Sequence, residues 1–131
     1  MVEEKKLNSE IYALYNECVK FVEELVKKDS DGKSVNPDFL PKYYISSFMR
    51  NFEAQADIIE KTRQELVKKY GEEQPSGEIR ITTDENLKLF KEDFDKLLEQ
   101  EVEIKYSVIP LAVFNSVKAD NFYPTLSKYI A

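Results

Sequence analysis

The sequence contains no histidine and no tryptophan, and it has one cysteine and three glycines among its 131 residues. Without histidine, the general base of Ser-His-Asp and Cys-His nucleophile systems is missing. The lone cysteine, Cys18, cannot complete a structural zinc or iron–sulfur site. The glycines Gly32, Gly71 and Gly77 do not have the spacing of a phosphate-binding loop. We therefore expect no enzyme, no catalytic residue, no metal and no cofactor.

The charges also exclude several classes of partner. The chain has 19 Lys and Arg against 25 Asp and Glu, a net charge of −6, and the signs alternate along the sequence. Such a surface lacks the basic face that nucleic-acid binding needs. No apolar run approaches the roughly 18 residues of a membrane span, and the charged N-terminal residues do not read as a secretory signal. Cys18 cannot form an internal disulfide, which favours a reducing compartment and a role as a small buried hydrophobe.

Two amphipathic segments dominate the first half of the chain. Ser9–Lys28 is predicted to be a helix with Ser9 as its N-cap and with apolar residues at steps of three and four. A longer helix is predicted from Pro41, which suits a first helical turn, to Tyr70, with Gly71 in the left-handed position that ends it. At its known rise per residue this helix would be about 45 Å long. We expect it to span the molecule or to project toward a partner chain.

The second half alternates strands with one helix. Glu78–Thr82 and Glu101–Val108 alternate polar and apolar residues, which predicts strands. Between them a helix is predicted at about Asp84–Gln100, beginning at a capping box of Thr82 and Glu85. Its inward-facing residues are expected to be Leu87, Phe90, Phe94, Leu97 and Leu98. Because two strands alone are marginal, a third strand is expected from residues 111–117 or from a neighbouring subunit, and the segment 124–130 is expected to be a short helix or a tail.

Together these elements predict an α+β fold that is mainly α. It has three principal helices, one of them long at about 41–70, and a small antiparallel β-hairpin or sheet in the C-terminal half. A chain of this length is expected to form a single domain, 1–131, with a helical part at 9–70 and a helix-plus-sheet part at 78–131.

Two acidic pairs have simple structural explanations. Asp29 and Asp31 look like the start of a calcium loop, but in that register the first ligand would be Lys27, which cannot bind calcium. A turn after the first helix explains them. Glu101 and Glu103 share one side of a predicted strand, as expected for an outward polar face.

Aromatic residues are the strongest indication of a binding role. They are denser between Phe39 and Phe52 than one helix face needs, and neighbouring Tyr43 and Tyr44 must point in different directions. Exposed tyrosines are common at protein interfaces, although a purely surface position explains Tyr43 equally well. A second aromatic group lies near the carboxyl end. The residues expected to contact a partner are Phe39, Tyr43, Tyr44, Phe48, Arg63, Tyr106, Phe122 and Tyr123.

Residues 60–71 read EKTRQELVKKYG, and after a glycine-containing loop Phe90–Leu98 and an EVEI strand follow. This order, from about Leu40 to Ile109, resembles a group of small uncharacterised proteins of tailed bacteriophages of gut and Gram-positive bacteria. In that group a K-x-R-x-E-L-x-x-K-Y-G helix end leads to F-x-x-E-x-x-x-L-L and E-V-E-I. Asp93 stands here at the acidic position. The resemblance implies a phage gene product in the host bacterial cytoplasm or in the virion, and no mechanism.

We therefore expect a non-enzymatic phage-type protein that acts through protein–protein interaction, as a virion, tail-assembly or structural component. The long helix and the strand edge at 102–108 would bind another phage protein or a second copy. The alternative is a phage-encoded inhibitor of a host enzyme or defence system. A third hypothesis is a small ligand, such as a signalling nucleotide, bound by Arg63, Arg80 and Tyr106.

Overall fold

The computed structural model describes residues 1–131 and has the predicted α+β, mainly α, fold class. Its helices are α1 (Asn8–Leu25), α2 (Leu40–Met49), α3 (Glu53–Tyr70), α4 (Asp84–Leu98) and α5 (Pro124–Ser127), with a 3-10 turn at Leu111–Phe114. Its strands are β1 (Val2–Leu7), β2 (Glu72–Glu73), β3 (Ile79–Arg80) and β4 (Glu101–Tyr106). None of the helices combines the length and the apolar character that crossing a membrane would require.

The helix predicted as continuous over 41–70 is two helices, so this prediction is wrong. α2 and α3 are separated by three residues. The Asn51 side chain donates to the carbonyl oxygen of Phe48 at 3.0 Å, and the Asn51 backbone N–H donates to the same oxygen at 3.2 Å. In a continuous helix that oxygen would accept from the N–H of Phe52, and asparagine is a residue that competes with helical bonds in this way. No helix is therefore long enough to require a partner for its apolar side.

The main sheet joins the two halves of the chain instead of lying in the C-terminal half. β1 and β4 are antiparallel, with Glu4 opposite Ile104 and Lys6 opposite Val102. The even-numbered residues of both strands face the core, whereas the odd-numbered residues, including Glu101 and Glu103, are exposed as predicted. The pattern of β1 escaped notice because four of its six residues are charged. Residues 111–114, expected in a third strand, form the 3-10 turn.

The strand predicted at 78–82 is shorter and belongs to a separate hairpin. β3 pairs with β2, and the hairpin that they form follows α3 in the sequence. Gly71 between α3 and β2 has φ −96°, so it is not left-handed as predicted. A Cβ at this position would lie 2.5 Å from the Val67 oxygen and 2.6 Å from Ile79 Cγ2. Glycine is needed here because β3 approaches the end of α3 closely.

α3, α4 and the β2–β3 hairpin form an arm at the edge of the core. α4 has no fully buried residue, and α3 buries only Ala56 and Ile59, both in its first half. Farther along, the Tyr70 hydroxyl donates to Asp93 Oδ2 at 2.5 Å and so links the two helices. The N-cap of α4 is Thr83, one residue after the predicted position.

One hydrophobic core runs through both predicted parts of the chain. It extends from Ile11 on α1 to Tyr129 near the C-terminus and includes Cys18, which is fully buried as predicted. The C-terminal segment is therefore not a tail: Leu126 and Tyr129 are buried, and Ile109 pairs with Ile130 in an isolated bridge.

Candidate protein-interaction surface

The eight predicted contact residues separate into exposed and buried ones. The side chains of Phe39, Tyr43 and Phe122 are 73%, 60% and 80% exposed. Tyr44 and Arg63 are half-buried. The buried residues are Phe48, Tyr106 and Tyr123, which belong to the hydrophobic core. For these three the predicted contact role does not hold, because a partner at the surface cannot reach their rings.

Three exposed apolar residues lie together at the start of α2, and we call Phe39, Leu40 and Tyr43 the α2 aromatic surface. Phe39 and Tyr43 are one helical turn apart, and the Tyr43 N–H donates to the Phe39 oxygen at 3.0 Å. The ring of Tyr44 meets that of Tyr43 edge to face, with centroids 5.6 Å apart. Tyr43 is exposed, whereas Tyr44 is half-buried against the core, so the two tyrosines point in different directions as predicted.

Hydrogen bonds of Asn36 and Asp38 anchor the segment that leads into this surface. Asp38 Oδ1 accepts from the Leu40 N–H at 3.0 Å, which fixes the first turn of α2. The buried Asn36 side chain donates to the Lys118 oxygen at 3.0 Å and accepts from the Lys118 N–H at 2.7 Å. Pro41 is buried in the first helical turn, the position predicted for it. These contacts order the backbone that carries the exposed rings before a partner binds, and such ordering lowers the entropy lost on binding.

Phe122 is exposed in a different environment. It lines a shallow depression with charged residues of α1, including Lys20, Glu23 and Glu24. A single ring among charges offers less continuous apolar area than the α2 aromatic surface. Phe122 is therefore a weaker candidate for a binding anchor.

An open cleft of about 650 Å³ lies between α1 and α3. Its lining mixes polar and apolar groups and includes Tyr12, Tyr15, Arg50, Asp57 and Glu60. The Tyr12 hydroxyl donates to Glu60 Oε2 at 2.6 Å, and Arg63 donates to Glu60 Oε1 at 2.5 Å.

Hydrogen bonds, charges and burial in the cleft shift the pKa values of Glu60, Tyr12 and Tyr15. The hydrogen bond from Arg63 lowers the pKa of Glu60 to about 2 despite partial burial, and Tyr12 adds to the effect. Burial and the neighbouring Glu60 raise the pKa of Tyr12, while burial and Glu53 raise the pKa of Tyr15. Glu60 is thus a charged acceptor that is already engaged, and a carboxylate of such low pKa is a poor proton acceptor at neutral pH.

The residues of the third hypothesis occupy separate environments. Arg63 is bound to Glu60, and Arg80 forms an ion pair with Glu78 at 3.2 Å. Tyr106 lies under the sheet, where its hydroxyl donates to Glu4 Oε2 at 2.9 Å. The structure does not bring these three residues together in one pocket.

Three glutamates of α1 hold the C-terminal segment, and we call Glu10, Glu17 and Glu24 the glutamate clasp. Glu10 accepts from the Tyr129 hydroxyl at 2.5 Å. Glu17 Oε1 accepts from the backbone N–H groups of Thr125 and Leu126 at 2.9 and 3.2 Å, where it satisfies the first turn of α5. The carboxylate of Glu24 accepts from the Tyr123 hydroxyl and from the Asp120 N–H. The seven-residue spacing, close to two helical turns, places all three on one side of α1.

The carboxylates of Glu10 and Glu24 are stabilised in their charged form. Burial alone would raise the pKa of Glu10, but the hydrogen bond from Tyr129 and the charge of Lys6 outweigh it and lower that pKa. Likewise, hydrogen bonds from Tyr123 and from the Asp120 backbone outweigh the burial of Glu24 and lower its pKa. Burial and Glu24 in turn raise the pKa of Tyr123 to about 12. Sequence reasoning missed the clasp, and the heptad spacing of the glutamates is the signal that could have indicated it.

The acidic turn after α1 is a structural turn, as predicted. Asp29 Oδ1 accepts from the N–H groups of Asp31 and Lys33 at 2.9 and 3.0 Å, and Gly32 has φ +78°. The structure contains no group of three or more Cys, Asp or Glu side chains placed to hold a metal ion.

Comparisons of the chain with protein-family models, with curated proteins and with solved structures give no match.

Proposed function

We propose that this protein acts by binding another protein, and that the α2 aromatic surface makes the central contact. The observation that carries the proposal is the exposure of Phe39 and Tyr43 on a segment held by Asp38 and Asn36. Large rings on a rigid backbone are the residues that contribute most to interface energy. Leu111, on the 3-10 turn that contacts α2, is also exposed.

The acidic surface is consistent with such a role. A net charge of −6 keeps the protein soluble while it presents exposed aromatic rings, and it favours partners with a basic rim around their binding pocket. Aromatic anchors ringed by charged residues are the usual arrangement of a protein interface.

The nature of the partner is proposed from the resemblance to phage proteins. On that basis the protein is a virion or tail-assembly component and the partner is another phage protein. An inhibitor of a host enzyme or defence system would use the same surface on a host protein. The identity of the partner distinguishes the two roles.

Site-specific photocrosslinking tests the proposal. A photoreactive phenylalanine analogue at position 43 is expected to crosslink one protein in phage-producing cells. The same analogue at position 58 is the matched control, because Ile58 is 54% exposed on α3. It should give no such product. Crosslinking from both positions, or from neither, contradicts the proposal.

The recovered partner allows a quantitative test by calorimetry. The double variant F39A/Y43A is expected to bind at least about 30-fold more weakly, the effect of removing an interface hot spot. The control variant I58A should bind like the wild type. Unchanged affinity of F39A/Y43A would show that the contact lies elsewhere.

A further inference from the structure

β4 has a free edge. Asn8 N–H donates to the Gln100 oxygen at 2.8 Å, and the register of β1 and β4 continues from this pair. Antiparallel pairs alternate between bonded and non-bonded, so the even-numbered residues of β4 bond to β1. The N–H and C=O groups of Glu101, Glu103 and Lys105 therefore point to the opposite edge. The hydrogen bonds outside the helices and strands include none to residues 101–106.

We propose that this edge pairs with the same edge of a second copy of the chain. The two β4 strands run antiparallel, with Ile104 opposite Ile104 on the two-fold axis. The result is one four-stranded sheet in the order β1–β4–β4–β1. A two-stranded sheet is marginal by itself, and the pairing doubles the number of strands without changing either subunit.

Charge complementarity selects this register. With Ile104 on the axis, Glu103 lies opposite Lys105 of the second copy, and Lys105 lies opposite its Glu103. On the core side Val102 lies opposite Tyr106. Opposite charges across antiparallel strands are stabilising, whereas a shift by two residues would place Glu103 opposite Glu103. A shift by one residue would set exposed residues against core residues, so it is excluded by the pleat.

The free edge of β1 is a poorer site for the same pairing. The equivalent register would place Glu3 opposite Lys5, but it would also place Glu4 opposite Glu4 on the core side. Glu4 is already engaged there, since it accepts from Tyr106 and lies 3.3 Å from the Lys6 ammonium. The core-facing residues of β4 are apolar or aromatic, so no charge repulsion arises when they lie opposite the core-facing residues of the second copy.

This inference is independent of the α2 aromatic surface, which lies on another element. A six-residue edge makes a small interface, and the expected dimer is weak. Sedimentation equilibrium at low salt, over protein concentrations up to about 1 mM, is the suitable measurement because salt screens exposed charges.

Two single charge reversals and their mixture test the register. E103K places two lysines opposite each other twice across the axis, and K105E does the same with two glutamates. Each variant alone is expected to dimerise at least about tenfold more weakly than the wild type. An equal mixture of the two restores complementary pairs at both positions. It should form heterodimers with an affinity within about threefold of wild type.

K5E is the matched control. It places a glutamate opposite Glu103 within the subunit's own sheet but leaves the β4 edge unchanged, so its dimerisation should match the wild type. A monomeric wild type at all concentrations overturns the inference. So does a dimer that is indifferent to E103K and K105E, or a mixture that fails to restore association.

Amide hydrogen exchange of the wild type gives a readout that needs no variant. The amides of Glu103 and Lys105 should exchange at least about tenfold more slowly in concentrated than in dilute solution. The amide of Ile104 bonds to β1 and should be indifferent to concentration. If the charge variants fail to fold, this comparison decides, and equal rates at both concentrations overturn the inference.

Discussion

Cys18 illustrates how burial governs the chemistry of one residue. The side chain is fully buried on α1 among the core residues, and this burial raises the pKa of its thiol to about 12. Only the thiolate reacts with thiol reagents, and the reagent must also reach it.

We therefore expect Cys18 to resist modification in the folded protein. At about pH 8 its reaction with an aromatic disulfide reagent should be at least about 1,000-fold slower than that of a free thiol, given its raised pKa. The same sample in denaturant should react at once with one equivalent. Rapid labelling of the folded protein would contradict the buried position.

At the scale of single residues, the hydrogen-bond partners of the asparagines could not be predicted from the sequence. Asn8 donates to the Leu97 oxygen at 2.9 Å and accepts from Gln55 at 2.9 Å, so it ties α1 to α3 and α4. Asn36 and Asn51 likewise bond to particular backbone groups. A single sequence does not distinguish such an anchor from an asparagine in a solvated turn. The partner of Asn36 is 82 residues away and that of Asn8 is 89 residues away.

At the scale of elements, amphipathic periodicity predicts where helices and strands are present, but it does not predict whether a helix is continuous. Apolar spacing predicts α1, α4 and β4, and the core-facing residues of α1 and β4 follow it. In α4 the prediction is wrong for Leu87, which is 39% exposed, whereas Phe94, Leu97 and Leu98 pack against the core. The break before α3 was missed because the apolar spacing continues from Phe48 to Phe52 across it. At that break the Asn51 side chain and backbone both donate to the Phe48 oxygen.

The glutamate clasp supports a prediction about stability. In E10A the hydroxyl of buried Tyr129 loses its acceptor, which should lower the free energy of unfolding by about 1–3 kcal/mol. E24A should have a similar effect through Tyr123. The control E23A removes an exposed glutamate of the same helix and should change stability by less than about 0.5 kcal/mol. Urea unfolding at neutral pH measures all three, and equal stability of E10A and E23A would contradict the clasp.

The same carboxylates predict the response to acid. Their pKa values are lowered in the folded state, so their stabilising effect is complete above the unfolded value of 4.5 and is lost as the pH falls through the folded values. Wild-type protein should lose stability between pH 7 and about pH 3, and E10A/E24A should lose less over that interval. Parallel losses would contradict a role of the two groups.

At the scale of the whole molecule, the unequal burial of the arm predicts unequal local stability. α4 and the second half of α3 bury no side chain fully, whereas α1, β4 and the C-terminal segment share the core. Regions with few buried apolar contacts open without global unfolding.

Hydrogen exchange in the folded protein should therefore show two classes of amide. Amides of α4 are expected to exchange through local opening, with a weaker dependence on denaturant than those of α1 and β4. Exchange of all helices with one common free energy would contradict this division of the molecule.

Long-range pairing explains what sequence reasoning missed at this scale. β1 pairs with β4, about 100 residues later in the chain. Tyr129 is buried against Glu10, Phe48 and Tyr106, which are all distant from it in the sequence. The local sequence of each segment is charged or short. Fold class could be predicted from local patterns, whereas the joining of the two ends could not.

Because β1 and α1 contact β4 and the C-terminal segment, the protein cannot complete its fold until late in its synthesis. The nascent chain carries β1 and the glutamates of α1 from the start, but their partners emerge from the ribosome only when residues 101–129 have been translated. Until then α2 and α3 can pack on α1, but the part of its apolar side that α5 covers stays exposed. Newly made molecules should therefore depend more on chaperones the longer this interval lasts, and slow translation of the codons for residues 101–129 should lower the soluble yield.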